Sequence, residues 1–224
     1  MINLRKLHRD IPPDRGFGII YKDNIVDAKS FESVNNFNSL NNSEEINKSI
    51  YSAAILVYKS SLVKIENSDY YKFNTVQFGV HYHMCRKSKF YKSPAVVGCL
   101  GTCFAIAENL IVTSQHVIRD QEMDDLCAVF NYNNLHGNYQ IHVNNIFYIN
   151  QIQKNTVENN DYDFVILKIK ENESTKKFIP DGNVANFETN YTHYKKWKIF
   201  MAGYPRGLPL QICTEAKIYK KKIY

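Results

Sequence analysis

Gly101-Thr-Cys-Phe-Ala-Ile-Ala-Glu-Asn-Leu-Ile-Val-Thr-Ser-Gln-His-Val-Ile118 reads as a β-hairpin that delivers one histidine. Phe104 and Ile106 alternate with small residues, Glu108-Asn109 supplies a turn, and Leu110, Ile111 and Val112 form a β-rich run before Thr113-Ser-Gln-His116. His116 therefore sits just past a strand end. An imidazole held there by a rigid sheet suits general-base work, because histidine's ordinary pKa lies near neutral. An isolated histidine in such a place is usually only a half-exposed loop residue, so the weight falls on its surroundings.

Those surroundings carry a resemblance. The quoted stretch is similar to the histidine motif of trypsin-like, chymotrypsin-fold serine peptidases, in which a Gly-[Ser/Thr]-x-Phe strand precedes a Leu/Ile-x-Thr-Ala-x-His turn. Further on, Asp163-Phe-Val-Ile-Leu-Lys-Ile169 resembles the family's Asp-[Ile/Phe/Tyr]-Ala-Leu-Leu-Lys-Leu strand. Met201-Ala-Gly-Tyr-Pro-Arg-Gly-Leu-Pro-Leu210 resembles the Gly-[Tyr/His]-Pro-x-Gly-Leu-Pro segment of a bacterial branch. Tyr51-Ser-Ala-Ala-Ile-Leu-Val57 and the series Cys85, Phe90, Pro94, Cys99 also fit that branch, so the likeness runs from about residue 15 to the last residue. It implies an all-β, chymotrypsin-like double β-barrel and a peptidase that acts on polypeptides. By the same resemblance His116 is the general base and Asp163 the carboxylate that orients it.

A chain of 224 residues has room for one two-layer β domain or two small ones. Its 44% hydrophobic content argues for a folded protein, and its 16 tyrosines and 13 phenylalanines suit strands. The net charge of +6 is modest, and the most evident cationic cluster is Lys220-Lys-Lys222, most simply a solvated tail. No basic stripe is interleaved with exposed aromatics, so nucleic acid is not expected as a partner. The first residues, Met-Ile-Asn-Leu-Arg-Lys-Leu-His-Arg-Asp, carry no signal peptide, and no run reaches the ~18 apolar residues of a membrane span. The resemblance implies a secreted or periplasmic protein. That conflicts with the first residues, so either the start is missing or the protein stays in the cytoplasm.

Five cysteines (Cys85, Cys99, Cys103, Cys127, Cys213) cannot all pair and match no zinc-ribbon or Cys-x-x-Cys spacing. The resemblance implies a Cys85–Cys99 bridge if the compartment is oxidising; in a reducing one they are buried thiols. His81, His83 and Cys85 alternate, and a strand would put all three on one face as zinc ligation requires. Such triplets arise by chance, and no fourth ligand stands in register, so neither a metal nor an organic cofactor is expected.

Residues 1–50 read as a polar N-terminal arm, with Ile19-Ile-Tyr21 and Ile25-Val26 offering one edge strand. Residues 51–170 read as the first barrel: strands at Ala53–Tyr58, Phe73–His83, Pro94–Ile106 with the hairpin, Leu126–Tyr132, Tyr139–Ile152 and Phe164–Ile169. A short helical turn follows the histidine, and about six strands are enough to close a small barrel. Residues 171–224 read as a polar crossing and three further strands at most, near Val184–Phe187, Trp197–Ala202 and Leu210–Tyr219. The first barrel is thus expected complete and the second only about half present, which leaves strand edges for pairing with another chain.

Peptide hydrolysis of this kind needs a hydroxyl nucleophile, a base to take its proton, a carboxylate to fix the imidazole tautomer, and N–H donors at the oxyanion. Asp161 is the runner-up to Asp163, but only Asp163 leads into the family's apolar run. The nucleophile is missing: no Gly-x-Ser-Gly occurs in the chain, and Ser114, two residues before His116, lies in the strand end rather than across a cleft. Two readings follow. One is the leading portion of a trypsin-like endopeptidase, inactive alone, that acts on a polypeptide once completed by a C-terminal part. The other is a non-catalytic peptidase-like binding module or gene remnant.

Overall fold

The computed structural model describes residues 31–33, 44–119, 121–133, 139–155, 163–180, 183–185 and 199–216. Strands run in chain order as β1 (Phe31–Ser33), β2 (Ala53–Tyr58), β3 (Leu62–Lys64), β4 (Tyr70–Phe73), β5 (Thr75–Gln77), β6 (Pro94–Val96) and β7 (Cys99–Ala107). They continue as β8 (Leu110–Thr113), β9 (Leu126–Phe130), β10 (Gln140–His142), β11 (Ile146–Asn155), β12 (Val165–Ile169), β13 (Ile199–Gly203) and β14 (Gln211–Ala216). Six of them close a barrel in the order β11-β12-β8-β7-β2-β9, the six-strand closure expected for the first half. The architecture is all-β and chymotrypsin-like.

Alternation fills the barrel. Leu56, Cys103, Ala105, Ile111, Leu126, Ala128, Phe130, Phe147, Ile149, Val165, Leu167 and Ile169 meet inside it. Successive strand residues point to opposite faces, so β12 buries Val165, Leu167 and Ile169 and leaves Ile166 and Lys168 partly exposed. Strand β2 breaks this pattern because both its faces are covered. Ala54 and Leu56 point into the barrel, while Ala53, Ile55 and Val57 pack outward with Tyr204, Leu210 and Ile212. A strand buried on both sides reads as a continuous apolar run, which is how Ala53–Tyr58 reads.

The outward layer is the second sheet, β1-β14-β13. Two of its strands match the expected Trp197–Ala202 and Leu210–Tyr219, although Trp197 itself lies outside the described residues. The third is drawn from residues 31–33, which pair antiparallel with Gln211–Cys213. Val184 and Ala185 are not in a strand; Ala185 N–H donates to Ala105 O at 2.9 Å, and the rest of that expected strand is outside the described residues. So are the Ile19-Ile-Tyr21 and Ile25-Val26 segments and Lys220–Lys222.

Residues 203–210 fasten this sheet to the barrel. Tyr204 N–H donates to Thr102 Oγ1 at 2.8 Å, and its hydroxyl donates to Ala53 O at 3.4 Å. Its ring stacks on Tyr132 with centroids 6.2 Å apart, and Leu210 N–H donates to Tyr132 O at 3.0 Å. Gly207 lies so close to β6 that a Cβ would stand 2.7 Å from Val96 O and 2.8 Å from Val96 N.

Several expectations are corrected. Phe73–His83 is not one strand, because the chain ends β5 at Gln77 and enters a helical turn at Phe78–His81. Gly79 lets Tyr91 pack against that turn, since a Cβ there would meet the Tyr91 ring at 2.1 Å. His81 therefore ends the turn, and His83 takes φ 52° beyond it, so His81, His83 and Cys85 do not share a strand face. Among the described residues no group of three or more His, Cys, Asp or Glu could hold a metal. Tyr139–Ile152 divides into β10 and β11 across a one-turn 3-10 helix, Val143–Asn145, whose Asn144 N–H donates to His142 Nδ1. The strand beginning at Leu126 stops at Phe130, before Asn131 at φ 59°.

The Cys85–Cys99 bridge does not form: all five cysteines are free thiols, Cys85 exposed, and Cys103, Cys127 and Cys213 buried. Burial pushes the Cys99 and Cys127 thiols up to about 12, so both stay protonated at neutral pH. Among the described residues no helix is long and apolar enough to cross a membrane.

Gly207→Ala is the sharpest test of the fastening segment. The native φ is +79° and the new Cβ collides with backbone rather than with a movable side chain. A loss of roughly 1–3 kcal/mol is expected, measured as a lowered midpoint in urea. An unchanged midpoint would show that residues 203–210 do not dock as described.

Candidate active site

The barrel's closing ladder builds the site. Strands β8 and β12 are antiparallel with Val165 opposite Thr113, Ile166 opposite Val112 and Leu167 opposite Ile111. Continuing that register two residues past the end of the ladder places Asp163 opposite Gln115, next to His116. The chain beyond β8 is also pinned. Thr113 Oγ1 donates to Thr102 O at 2.9 Å, Ser114 is extended (φ −71°, ψ 138°), and Gln115–Ile118 forms one helical turn. Ile118 is buried in the barrel core, and the Val117 methyls sit 3.3 Å from where a Gly101 Cβ would be. With Ile118 buried and Val117 on Gly101, His116 takes the solvent side.

Asp163 meets His116 twice. His116 N–H donates to Asp163 Oδ1 at 3.0 Å, and His116 Nδ1 lies 2.5 Å from Asp163 Oδ2. An ionised carboxylate only accepts, so Nδ1 carries a proton, and in the neutral ring Nε2 keeps its lone pair. Among the described residues nothing hydrogen-bonds Nε2. The side chains are 71% and 55% exposed, so this lone pair is open to an incoming proton donor.

The carboxylate is held in its charged form. Desolvation acts to raise the pKa of Asp163, but bonds from the His116 N–H, the His116 ring and the Gln115 N–H, with the imidazole's charge when protonated, outweigh it and bring the net value below the ordinary 3.8. The same carboxylate thus satisfies two N–H groups at the start of the helical turn, which would otherwise lack partners inside the turn. One side chain fixes the backbone that carries His116 and the tautomer of its ring.

Of the residues singled out by sequence, the structure brings together His116 and Asp163. Asp161 lies outside the described residues. Ser114 is in the same strand end as His116, where its carbonyl accepts from Val117 N–H at 3.1 Å. Thr102 was not anticipated. It is the small polar residue of the Gly-Thr-Cys-Phe run, and its carbonyl anchors the Thr113 end of β8 while its hydroxyl anchors Tyr204. The presence of a β-branched hydroxyl in that run was legible, but not its two partners.

Residues 101–223 match the model of a family described as the trypsin-like peptidase domain. No curated protein matches the chain. The matched span starts at the first residue of the hairpin and includes His116, Asp163 and the fastening segment.

The pairing makes a pH-dependent prediction. With its folded pKa below 3.8, Asp163 contributes stability that is present above that value and lost as pH falls through the folded one. A carboxyl-carbon NMR titration is expected to give an Asp163 midpoint below 3.8. Asp163→Asn is expected to abolish the downfield-shifted His116 Nδ1 proton resonance at neutral pH. A midpoint above 3.8 in the wild type would contradict the geometry.

Proposed function

The chain belongs to the trypsin-like peptidase family, and from that premise we propose that His116 is the general base of a serine-peptidase triad and Asp163 the carboxylate that orients it. The 2.5 Å contact between Asp163 Oδ2 and His116 Nδ1 carries this reading. In it, His116 Nε2 accepts the proton of a serine hydroxyl as that oxygen attacks the scissile carbonyl, then returns it to the leaving amine. Asp163 stays ionised and stabilises the imidazolium between those two transfers. The substrates are polypeptides.

In this reading the hydroxyl and the oxyanion donors are supplied by polypeptide other than these 224 residues, which contain no Gly-x-Ser-Gly. In this reading residues 1–50 are an arm, residues 51–170 the first barrel with both site residues, and residues 171–224 the crossing and the beginning of the second barrel. The Gly203-Tyr-Pro-Arg-Gly-Leu-Pro209 segment supports a bacterial-branch endopeptidase. The same missing motif favours a second reading, a non-catalytic module that keeps the scaffold for binding. Retention of the His–Asp pair weighs against it, because binding alone makes no demand on an imidazole tautomer.

Residues 1–224 alone are expected to show no labelling by a fluorophosphonate probe, which reacts with a serine only when base and oxyanion donors are in place. Labelling of the wild type that is lost in His116→Ala would overturn the assignment of the nucleophile to another segment.

A further inference from the structure

Residues 78–93, between β5 and β6, take no part in the chemistry above and are built as a stiff platform. Phe78 N–H donates to Ser93 O at 2.9 Å, Gly79 N–H to Tyr91 O at 2.8 Å, Met84 N–H to Gly79 O at 2.9 Å and Ser93 N–H to Phe90 O at 3.0 Å. Phe78, Ala95 and Leu208 form a buried cluster beneath it, with Tyr82, Met84 and Phe90 packed against them. On this frame His83, Arg86, Lys87 and Lys92 are exposed. No Asp or Glu occurs between Asp69 and Glu108. Among the described residues no carboxylate pairs with Arg86, Lys87 or Lys92.

The hydrogen bonds hold the backbone that carries these cations, and adjacent backbone positions such as 86 and 87 lie well inside the ~8 Å Debye length at physiological salt. The result is a standing positive field. A run of contacts along β7 links it to the candidate site. Val117, next to His116, lies over Gly101 on β7, and Cys99 near the start of the same strand touches Gly207. Gly207 adjoins Leu208, which sits in the platform's own cluster.

We propose that residues 83–92 form a docking surface for an acidic stretch of polypeptide. Polypeptide is favoured over nucleic acid because the aromatic faces are already occupied. Arg206 lies over the Tyr82 ring at 4.7 Å, Lys89 over the Phe90 ring at 5.6 Å, and the Tyr91 ring lies against Gly79. That leaves charge without the open stacking faces on which bases are held. Carboxylates need only the cations. The proposal rests on the reading that this domain acts on polypeptides, and it names the chemistry of the partner.

The test is fluorescence anisotropy of the 224-residue chain with a fluorescein-labelled Glu/Asp-rich peptide of about twelve residues. Binding is expected, weakening as salt rises from about 50 to about 300 mM. R86E/K87E/K92E is expected to bind at least about tenfold more weakly, and the milder R86Q/K87Q/K92Q at least about threefold. K220E/K221E/K222E, which changes the other lysine run, is expected to match the wild type. Circular dichroism checks that each variant folds. Absence of binding by the wild type, wild-type affinity in both platform variants, or tighter binding of single-stranded DNA of equal length would overturn the proposal. Anisotropy needs no turnover, so the result stands apart from whether His116 acts as a base.

Discussion

The ladder between β8 and β12 is the constraint on which the rest depends. Four cross-strand pairs, from Val165 with Thr113 to Lys168 with Leu110, join the last barrel strand to the histidine hairpin and remove the free edges an open sheet would carry. The same pairs fix the register, and in a sheet a one-residue slip would turn every side chain to the other face. Closure and site geometry are therefore a single event. If Val165, Leu167 and Ile169 point into the barrel, the residue two before Val165 must arrive beside the residue two after Thr113. His116 and Asp163 are 47 positions apart in sequence, yet no loop has to be ordered separately to bring them together.

Double-sided burial ties the barrel to the second sheet. Strands β2 and β9 have little freedom to be polar on either face, because Ile55, Val57, Cys127 and Val129 contact the layer of Tyr204, Leu210 and Ile212 while their neighbours in sequence fill the barrel. Residues 203–210 make this contact directional. Thr102 accepts from Tyr204 N–H at its hydroxyl oxygen and from Thr113 Oγ1 at its carbonyl, so one residue of β7 links the second sheet to the strand end that precedes His116. Burial raises the Tyr204 phenol well above its ordinary pKa and keeps it neutral in this joint.

Much of this was legible locally. Ala53–Tyr58 is a strand with the expected ends because six apolar residues in a row leave no polar face to misplace. The hairpin turns at Glu108-Asn109 as its sequence requires, and Phe164–Ile169 differs from the observed strand by one residue. The region around His81 and His83 was not legible, because period-two alternation there coincides with a helical turn that only the Gly79–Tyr91 contact reveals. Nor was the third strand of the second sheet. Phe31–Ser33 is too short and too polar to announce itself, and it is a strand because Gln211–Cys213 offers it an edge.

The amino-acid order by itself determined the histidine hairpin, through alternation and turn chemistry, and pointed to the all-β class and the two residues of the candidate pair through motifs that resemble those of the trypsin-like family. The tertiary structure alone decided which N–H groups Asp163 accepts from, that Thr102 joins both sheets, and that Arg86, Lys87 and Lys92 stand together on a stiff frame. The first two depend on segments distant in the chain meeting at atomic distances set by strand pairing, and the third on backbone bonds that close residues 78–93 on themselves, which no single run of residues announces.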